Sequence, residues 1–319
     1  MRALVTGAGG FVGQWLCREL LSDGWDVHGA TLTGAPARGT LEDWQRDAVM
    51  WYDADLREPE DVVGALDEAR PDAVFHLAGV AYVPDADSDA RGAWSNNVLA
   101  AVTLLEALVQ RRRAGVLDPV VVIAGSAAQY GTHPPESMPL TEVAEQRPAS
   151  VYGATKLAQE VAALAVWRES GLRVVAARAF NHSGPGQSAS FLVPALVERA
   201  CEAKASNAPS IRIGNPTPVR DYLHVEDVAR AYLYLALRGE PGEAYNVASG
   251  AGISVTQLAE LILDHVQCEA RLESDSALTR AGDISVLIGD ATKLSRTTSW
   301  TTRHTLEMMI DDMIDAATN

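Results

Sequence analysis

Arg2–Thr6 reads as a short buried strand. It runs straight into Gly7-Ala8-Gly9-Gly10-Phe11-Val12-Gly13, where a helical pattern over 11–22 begins. Strand, glycine turn and helix in that order constrain the fold more than any other feature of the chain. Gly7 permits a tight turn, Gly10 lets the backbone approach a pyrophosphate, and Gly13 lets the helix lie close against the strand. The free N–H groups of the helix start then face the phosphates. The turn predicts a bound dinucleotide; a glycine turn of purely structural use is the alternative.

The rest of the first half continues as such a fold requires. Apolar runs at 25–30, 49–53, 73–77, 119–124 and 172–177 predict strands, and 58–69, 92–113 and 151–170 predict helices between them. That alternation predicts an α/β fold with a Rossmann-like doubly wound parallel sheet. The near-continuous apolarity of the strands fits burial on both faces. Past Asn181 the elements shorten: helices over 190–205, 225–237 and 255–266, one more ending near 316, and extended pieces at 211–213 and 243–247. We expect a dinucleotide-binding domain over 1–180, to which part of 215–250 returns. A smaller C-terminal α/β subdomain over 181–319 would hold the substrate.

A formal charge of −16 over 319 residues argues against nucleic acid and anionic membrane surfaces as partners. It leaves room for an anionic substrate, because local arginines can still make a positive pocket. Arg111-Arg112-Arg113 is the one basic run and is expected at a helix end, where cations suit the dipole. No apolar run reads as long enough to span a membrane. No charged segment precedes an apolar one at the N-terminus, so no signal peptide is expected. Cys17, Cys201 and Cys268 lack disulfide or metal-ligand spacing. They are expected to be small buried residues in a reducing cytoplasm, with no metal site.

Tyr152 and Lys156 stand four apart in a predicted helix, hence on one face. Free, their groups titrate near about 10 and about 10.4. A neighbouring ammonium stabilises tyrosinate, so Lys156 is expected to draw the phenol down toward neutrality. Tyr152 can then exchange a proton with a substrate oxygen while hydride moves at the carbon. Ser126, at a strand end in Ser126-Ala127-Ala128-Gln129-Tyr130-Gly131, offers a hydroxyl to the same oxygen. Taken singly, Tyr152 and Lys156 are ordinary helix-surface residues; with Ser126 and the glycine turn they make a catalytic group. The second strand ends Gly29-Ala30-Thr31-Leu32-Thr33, without the acid that grips the ribose of NAD. Thr31, Thr33 or Arg38 would tolerate a 2′-phosphate, which tilts the cofactor from NADH toward NADPH. Asp55 would accept the adenine amino group with Leu56 against the ring, or else cap the helix before Pro59.

These strings are joined by His76-Leu77-Ala78-Gly79, Asn97-Val98, Arg178…Asn181, Gly184-Pro185-Gly186 and Arg220-Asp221-Tyr222-Leu223-His224-Val225-Glu226-Asp227. With them the chain resembles, over essentially its whole length, the extended short-chain dehydrogenase/reductases: nucleotide-sugar epimerases, dehydratases and reductases. The resemblance implies that Ser126, Tyr152 and Lys156 are catalytic and that Asn97 lies near the nicotinamide pocket. It implies a cofactor lying along Gly7, Gly10, Phe11, Val12, Gly13, Thr31, Arg38, Asp55, Leu56, Leu77, Ala78, Gly79, Asn97, Tyr152, Lys156 and Phe180. Substrate contacts are implied at Val83, Ser126, Asn181 and Val193. Arg220 and Arg280 are candidates for the substrate pyrophosphate, because a guanidinium pairs phosphate oxygens in a fork; a surface salt bridge is the alternative for each. The resemblance also implies a homodimer through the helices over 92–113 and 151–170.

Dehydratases of this family carry an acid two residues after the Ser126 position, where this chain has Ala128 preceded by Ala127. A dehydratase is therefore disfavoured. Phe180-Asn181-His182-Ser183-Gly184-Pro185-Gly186-Gln187, with Val219-Arg220-Asp221 and Leu287-Ile288-Gly289, resembles one reductase group. That group reduces the C4 ketone of GDP-4-dehydro-6-deoxy-D-mannose to GDP-D-rhamnose or GDP-6-deoxy-D-talose. Gln129 departs from it, since an acid is common just before Tyr130. His182 either packs to order its loop or touches the sugar; His76 reads as structural, and His224 as a helix cap and not a metal ligand. The rival activity is an NAD-holding nucleotide-sugar epimerase acting on a UDP- or dTDP-sugar. The rival class is a non-catalytic dinucleotide sensor, which would need the cofactor half alone.

Overall fold

The computed structural model describes residues 1–36, 39–278 and 284–318. The first part alternates β1 (Arg2–Thr6), α1 (Phe11–Ser22), β2 (Asp26–Thr31), α2 (Asp43–Ala48), β3 (Met50–Asp53), α3 (Pro59–Ala69) and β4 (Ala73–His76). Next come α4 (Val83–Ser88), α5 (Ala90–Trp94), a π-helical turn over Ser95–Leu99, α6 (Ala100–Arg113), β5 (Val120–Ser126), α7 (Val151–Ser170) and β6 (Arg173–Ala179). Then follow β7 (Asn181–Ser183), α8 (Leu192–Ser206), β8 (Ser210–Ile213), β9 (Val219–His224), α9 (Val225–Arg238) and β10 (Ala244–Val247). The chain closes with β11 (Gly252–Ser254), α10 (Val255–Val266), β12 (Arg271–Ser274), β13 (Val286–Leu287), α11 (Thr292–Thr298) and α12 (Leu306–Thr318).

Seven parallel strands form the main sheet in the order β10-β6-β5-β4-β1-β2-β3. Successive strand residues face opposite sides, and the two cores divide accordingly. Ala3, Val5, Phe75, Val122 and Val175 pack with α1, α9 and α11 on one face. Leu4, Val74, Val121, Ile123 and Val174 pack with α3, α6 and α7 on the other. The doubly wound parallel sheet read from the sequence is the one observed. β1 lies between β4 and β2, with Thr6 level with both His76 and Ala30. The strand order reverses there, and the carboxyl ends of the strands open a crevice.

β9 pairs in parallel with β7 and β13 and antiparallel with β11, while β8 and β12 form a separate pair. Leu196, Ile211, Ile213, Leu258, Ile262, Met309 and Ile310 make a third core under these pieces. A small cluster of Ala127, Tyr130, Leu140, Phe180, Ala248 and Leu287 lies where they meet the end of the main sheet.

Two expectations need correction. The helix read over 92–113 begins earlier, because α5, the π turn and α6 run on without a break. The continuous stretch Ala90–Arg113 has 24 residues and contains an 18-residue window with a mean hydropathy of 1.2, long and apolar enough to cross a membrane, contrary to the expectation. Half of it is buried inside the fold, with Leu104, Leu105 and Leu108 against the sheet. Its apolarity answers to that core. Its basic end is tied down by Arg111 on Asp67, Arg112 on Asp118, and Arg113 near Glu169.

Candidate active site

β5 delivers Ser126 to the carboxyl edge of the sheet, and a 3₁₀ turn over Ala127–Gln129 follows at once. Ser126 Oγ accepts the Ala128 N–H at 3.2 Å. α7 starts opposite, capped by Ser150, whose hydroxyl accepts the Gly153 N–H at 3.1 Å. Its first two turns carry Tyr152 and Lys156. Burial raises the Tyr152 pKa, and the neighbouring Ser126 side chain opposes that rise. Lys156 is buried too; its Nζ donates to Ala124 O at 2.8 Å and to Gln159 Oε1 at 3.1 Å. Burial brings its pKa down to about 8. The expected lowering of the Tyr152 pKa by Lys156 is thus absent from this arrangement. Desolvation dominates the phenol, and the ammonium is directed at two protein oxygens. Asn97 lies in the π turn, a frequent mark of a functional site. Its Nδ2 donates to Thr155 Oγ1 at 2.9 Å, and its Oδ1 accepts the Val80 N–H at 2.7 Å. It therefore clamps the loop after β4 onto α7. Gly79, at φ +147°, has Asn97 Oδ1 2.4 Å from where a Cβ would stand.

On the cofactor side, a Cβ on Gly13 would meet Gly7 O at 2.2 Å, and one on Gly7 would meet Ala78 N at 2.8 Å. The turn is pressed between helix and neighbouring loop. Gly10 faces only Gly7 O, at 3.2 Å. α1 has no side-chain cap and no acid in its first turn, where Phe11 and Val12 are half-buried. Its uncompensated N–H groups fit the pyrophosphate of a dinucleotide. Gln14, which sequence reasoning passed over, joins this turn to the loop after β2. It donates to Gly9 O and accepts from Thr40 N–H, both at 2.9 Å. No sequence signal marks it.

The remaining cofactor candidates divide. Leu77 and Ala78 line the crevice end of β4, half-buried, and Ala78 N–H donates to Thr6 Oγ1. Thr31 donates its hydroxyl to Gly34 O at 2.6 Å and so closes its own turn. Asp55 does not cap α3, whose N-cap is Glu58. Arg57 forks it instead, with Nε at 2.8 and 3.1 Å from the two carboxylate oxygens, holding its pKa below the usual range. Leu56 is a core residue, and the Phe180 ring is fully buried beneath Gly289. Arg38 and Arg280 lie outside the described residues.

On the substrate side, β7 sets Asn181 level with Tyr222 of β9, and Arg220 is half-buried on the same strand. Arg220 Nη1 donates to Val219 O at 2.9 Å, among its contacts. Val83 starts α4 half-buried, whereas Val193 packs in the subdomain core. His182 orders its loop, with Nδ1 2.8 Å from Phe180 O and its ring stacked on Phe11. Trp15 Nε1 donates to Pro185 O at 3.1 Å and ties α1 to the same loop. Asp221 is fully buried and accepts from Ser249 N–H and Oγ–H, Gly250 N–H and Gly289 N–H. It fixes the loops around β9. His76 is buried, 2.9 Å from Thr6 Oγ1, and burial takes its pKa down to about 3, so it is neutral.

His224 caps α9 by accepting the Glu226 N–H at Nδ1, 3.0 Å away. Ligand atoms of His224, Glu226 and His304 lie within 4.8 Å of one another. With Nδ1 accepting, the ring proton sits on Nε2, which faces Asp312 at 3.4 Å. A metal on either ring nitrogen would take away the Nδ1 lone pair that accepts the Glu226 N–H, so His224 reads as a helix cap.

A family model described as GDP-mannose 4,6 dehydratase matches residues 4–313. The chain is 35% identical to GDP-6-deoxy-D-mannose reductase of Pseudomonas aeruginosa over 257 residues, 80% of this chain and 83% of that one. The solved structure of RMD from Pseudomonas aeruginosa complexed with NADPH is similar at a TM-score of 0.84 and 30% identity, covering 99% of both chains. UDP-glucose 4-epimerase of Thermus thermophilus in complex with NAD is similar at 0.86 and 27% identity, covering 100% of this chain and 99% of that one. The chain belongs to the GDP-mannose 4,6 dehydratase family of extended short-chain dehydrogenase/reductases, NAD(P)-dependent enzymes that act on nucleotide sugars.

Proposed function

We propose that the chain reduces the C4 ketone of GDP-4-dehydro-6-deoxy-D-mannose to GDP-D-rhamnose or GDP-6-deoxy-D-talose. The observation that carries this reading is the placement of Ser126 beside Tyr152, one helical turn from Lys156, in a turn whose next residues are Ala127 and Ala128. Ketone reduction needs one proton donor at one oxygen, which this group supplies. Eliminating water needs a further acid and base, and neither alanine can act as one. Likeness to the Pseudomonas aeruginosa reductase supports the choice of a GDP-sugar.

The reduced dinucleotide, when bound, supplies the hydride. Tyr152 gives its hydroxyl proton to the C4 oxygen as the carbonyl becomes an alcohol, so one hydride and one proton complete the reduction. Ser126 Oγ holds that oxygen in place. Lys156 stands one turn along α7, where its ammonium would hold the cofactor ribose. Asn181 and Arg220 line the sugar nucleotide, with the guanidinium on the pyrophosphate. Thr31 at the end of β2, in place of an acid, favours NADPH. A second copy of the chain is the proposed partner, against α6 and α7.

Incubation with GDP-4-dehydro-6-deoxy-D-mannose and either reduced cofactor decides the matter. Stoichiometric loss of reduced-cofactor absorbance is expected, and the C4 configuration of the product separates rhamnose from talose. No oxidation, together with NAD retained through purification, would replace this reading with an epimerase.

A further inference from the structure

We propose that Gln129 is a positioning residue for Ser126, and that an uncharged amide is required there because it bridges the serine backbone to the buried Glu160–Arg178 pair. This rests on the reading of Ser126 as part of the catalytic group.

Gln129 is fully buried. Its Oε1 accepts the Ser126 N–H at 2.7 Å, and its Nε2 donates to Glu160 Oε2 at 2.8 Å and to Gln146 Oε1 at 3.0 Å. Both amide hydrogens and one oxygen lone pair are thus used. Glu160 is in turn forked by Arg178, Nε to Oε2 at 3.0 Å and Nη2 to Oε1 at 2.6 Å. Arg178 Nη1 reaches Tyr130 Oη and Glu142 O, both at 2.9 Å. Every member is paired, and such a buried network holds one geometry.

The placement gives the network its target. Glu160 lies one turn beyond Lys156 and two beyond Tyr152, on the same face of α7. Gln129 therefore ties the turn that presents Ser126 to the helix that presents the other two groups. Gly125 is needed for this: a Cβ there would stand 2.5 Å from Gln129 Oε1.

A carboxylate in place of the Gln129 amide would face the Glu160 carboxylate across one hydrogen-bond length. Two such acids share a proton. Protonated, the acid introduced by Gln129→Glu reproduces the bonds to Ser126 and Glu160; deprotonated, it repels Glu160 and releases the turn. The other groups around the pair are Arg178 on β6, Lys156 on α7, Tyr130 and His133 after the turn, and Glu142 and Gln146 in the following loop.

The test is steady-state kinetics of the whole protein with the C4-keto nucleotide sugar and NADPH, for wild type, Ser126→Ala, Gln129→Glu and Gln129→Met. Gln129→Glu should approach wild type in acid and lose kcat by up to about tenfold per pH unit as the shared proton leaves. Its KM for NADPH should stay within about twofold, since the cofactor half is untouched. Gln129→Met should lose about 10- to 100-fold in kcat at every pH, as expected for a displaced reacting group. A Gln129→Glu pH profile parallel to wild type, or a loss that falls on the KM for NADPH, overturns the proposal. If Gln129→Glu does not fold, Gln129→Met decides alone, and unchanged kcat overturns it. No turnover by wild type would strike at the proposed function itself. Turnover abolished by Ser126→Ala, but intact in both Gln129 variants, would strike at this inference alone.

Discussion

Lys156 holds an ammonium where little water can solvate it. Two acceptors, Ala124 O and Gln159 Oε1, offset only part of that cost, and its pKa falls to about 8. Below that pH it is charged and, under the proposed function, would attract the dinucleotide; above it the charge is lost. Affinity for NADPH should therefore weaken as pH rises through about 8, and Lys156→Arg, charged throughout, should flatten the curve. Fluorescence titration of NADPH across this range checks it, and a flat wild-type curve would remove the charge of Lys156 from cofactor binding. The stability linkage has a definite sign. Between about 8 and the unfolded value near 10.4 the unfolded chain binds the extra proton, so Lys156 makes stability rise with pH there. The spacing of Tyr152 and Lys156 made this group legible, because four residues is one helical turn. What held Ser126 was not legible. Gln129 and Glu160 are 31 residues apart and meet only because α7 packs on β5.

At the scale of elements, strongly patterned segments were the readable ones. The helix bounds over 11–22, 151–170 and 255–266 coincide with those of α1, α7 and α10. β7, β11 and β13 escaped notice because two or three residues carry no period. Their ladders come from β9, which pairs with all three. The π turn before α6 escaped because it shifts the hydrogen-bond ladder without altering composition. The glycine turn allows a test that separates fold from ligand. At Gly13 a methyl would collide with backbone at 2.2 Å, so Gly13→Ala should cost about 1–3 kcal/mol of stability. At Gly10, with φ −75° and one neighbour at 3.2 Å, Ala is tolerated by the chain but stands where the pyrophosphate would approach under the proposed function. Gly10→Ala should leave Tm nearly unchanged and weaken NADPH about tenfold, about 1.4 kcal/mol. Equal Tm losses in both variants would contradict the division of labour between the two glycines.

The whole molecule carries apolar surface on the helices that cover one sheet face. Trp94, Leu99 and Val161 are 45, 50 and 56% exposed, on α5, the π turn and α7. α5 and α6 both pack against α7, so the exposed residues belong to one helical layer. A second copy seated there would bury them; each such side chain is worth about 1.5–3 kcal/mol when fully buried. Leu99→Asp with Val161→Asp should weaken the proposed dimer by roughly a hundredfold or more. Sedimentation should then report 34.0 kDa for the variant and twice that for wild type. The formal charge of −16 on each copy adds a second handle. Like-charged copies repel over about 8 Å at physiological salt and further below it. Dilution should thus dissociate the wild-type dimer more readily at low salt than at high, the reverse of an assembly held by ion pairs. A wild-type protein that sediments as 34.0 kDa at every salt concentration would leave these residues without the proposed partner.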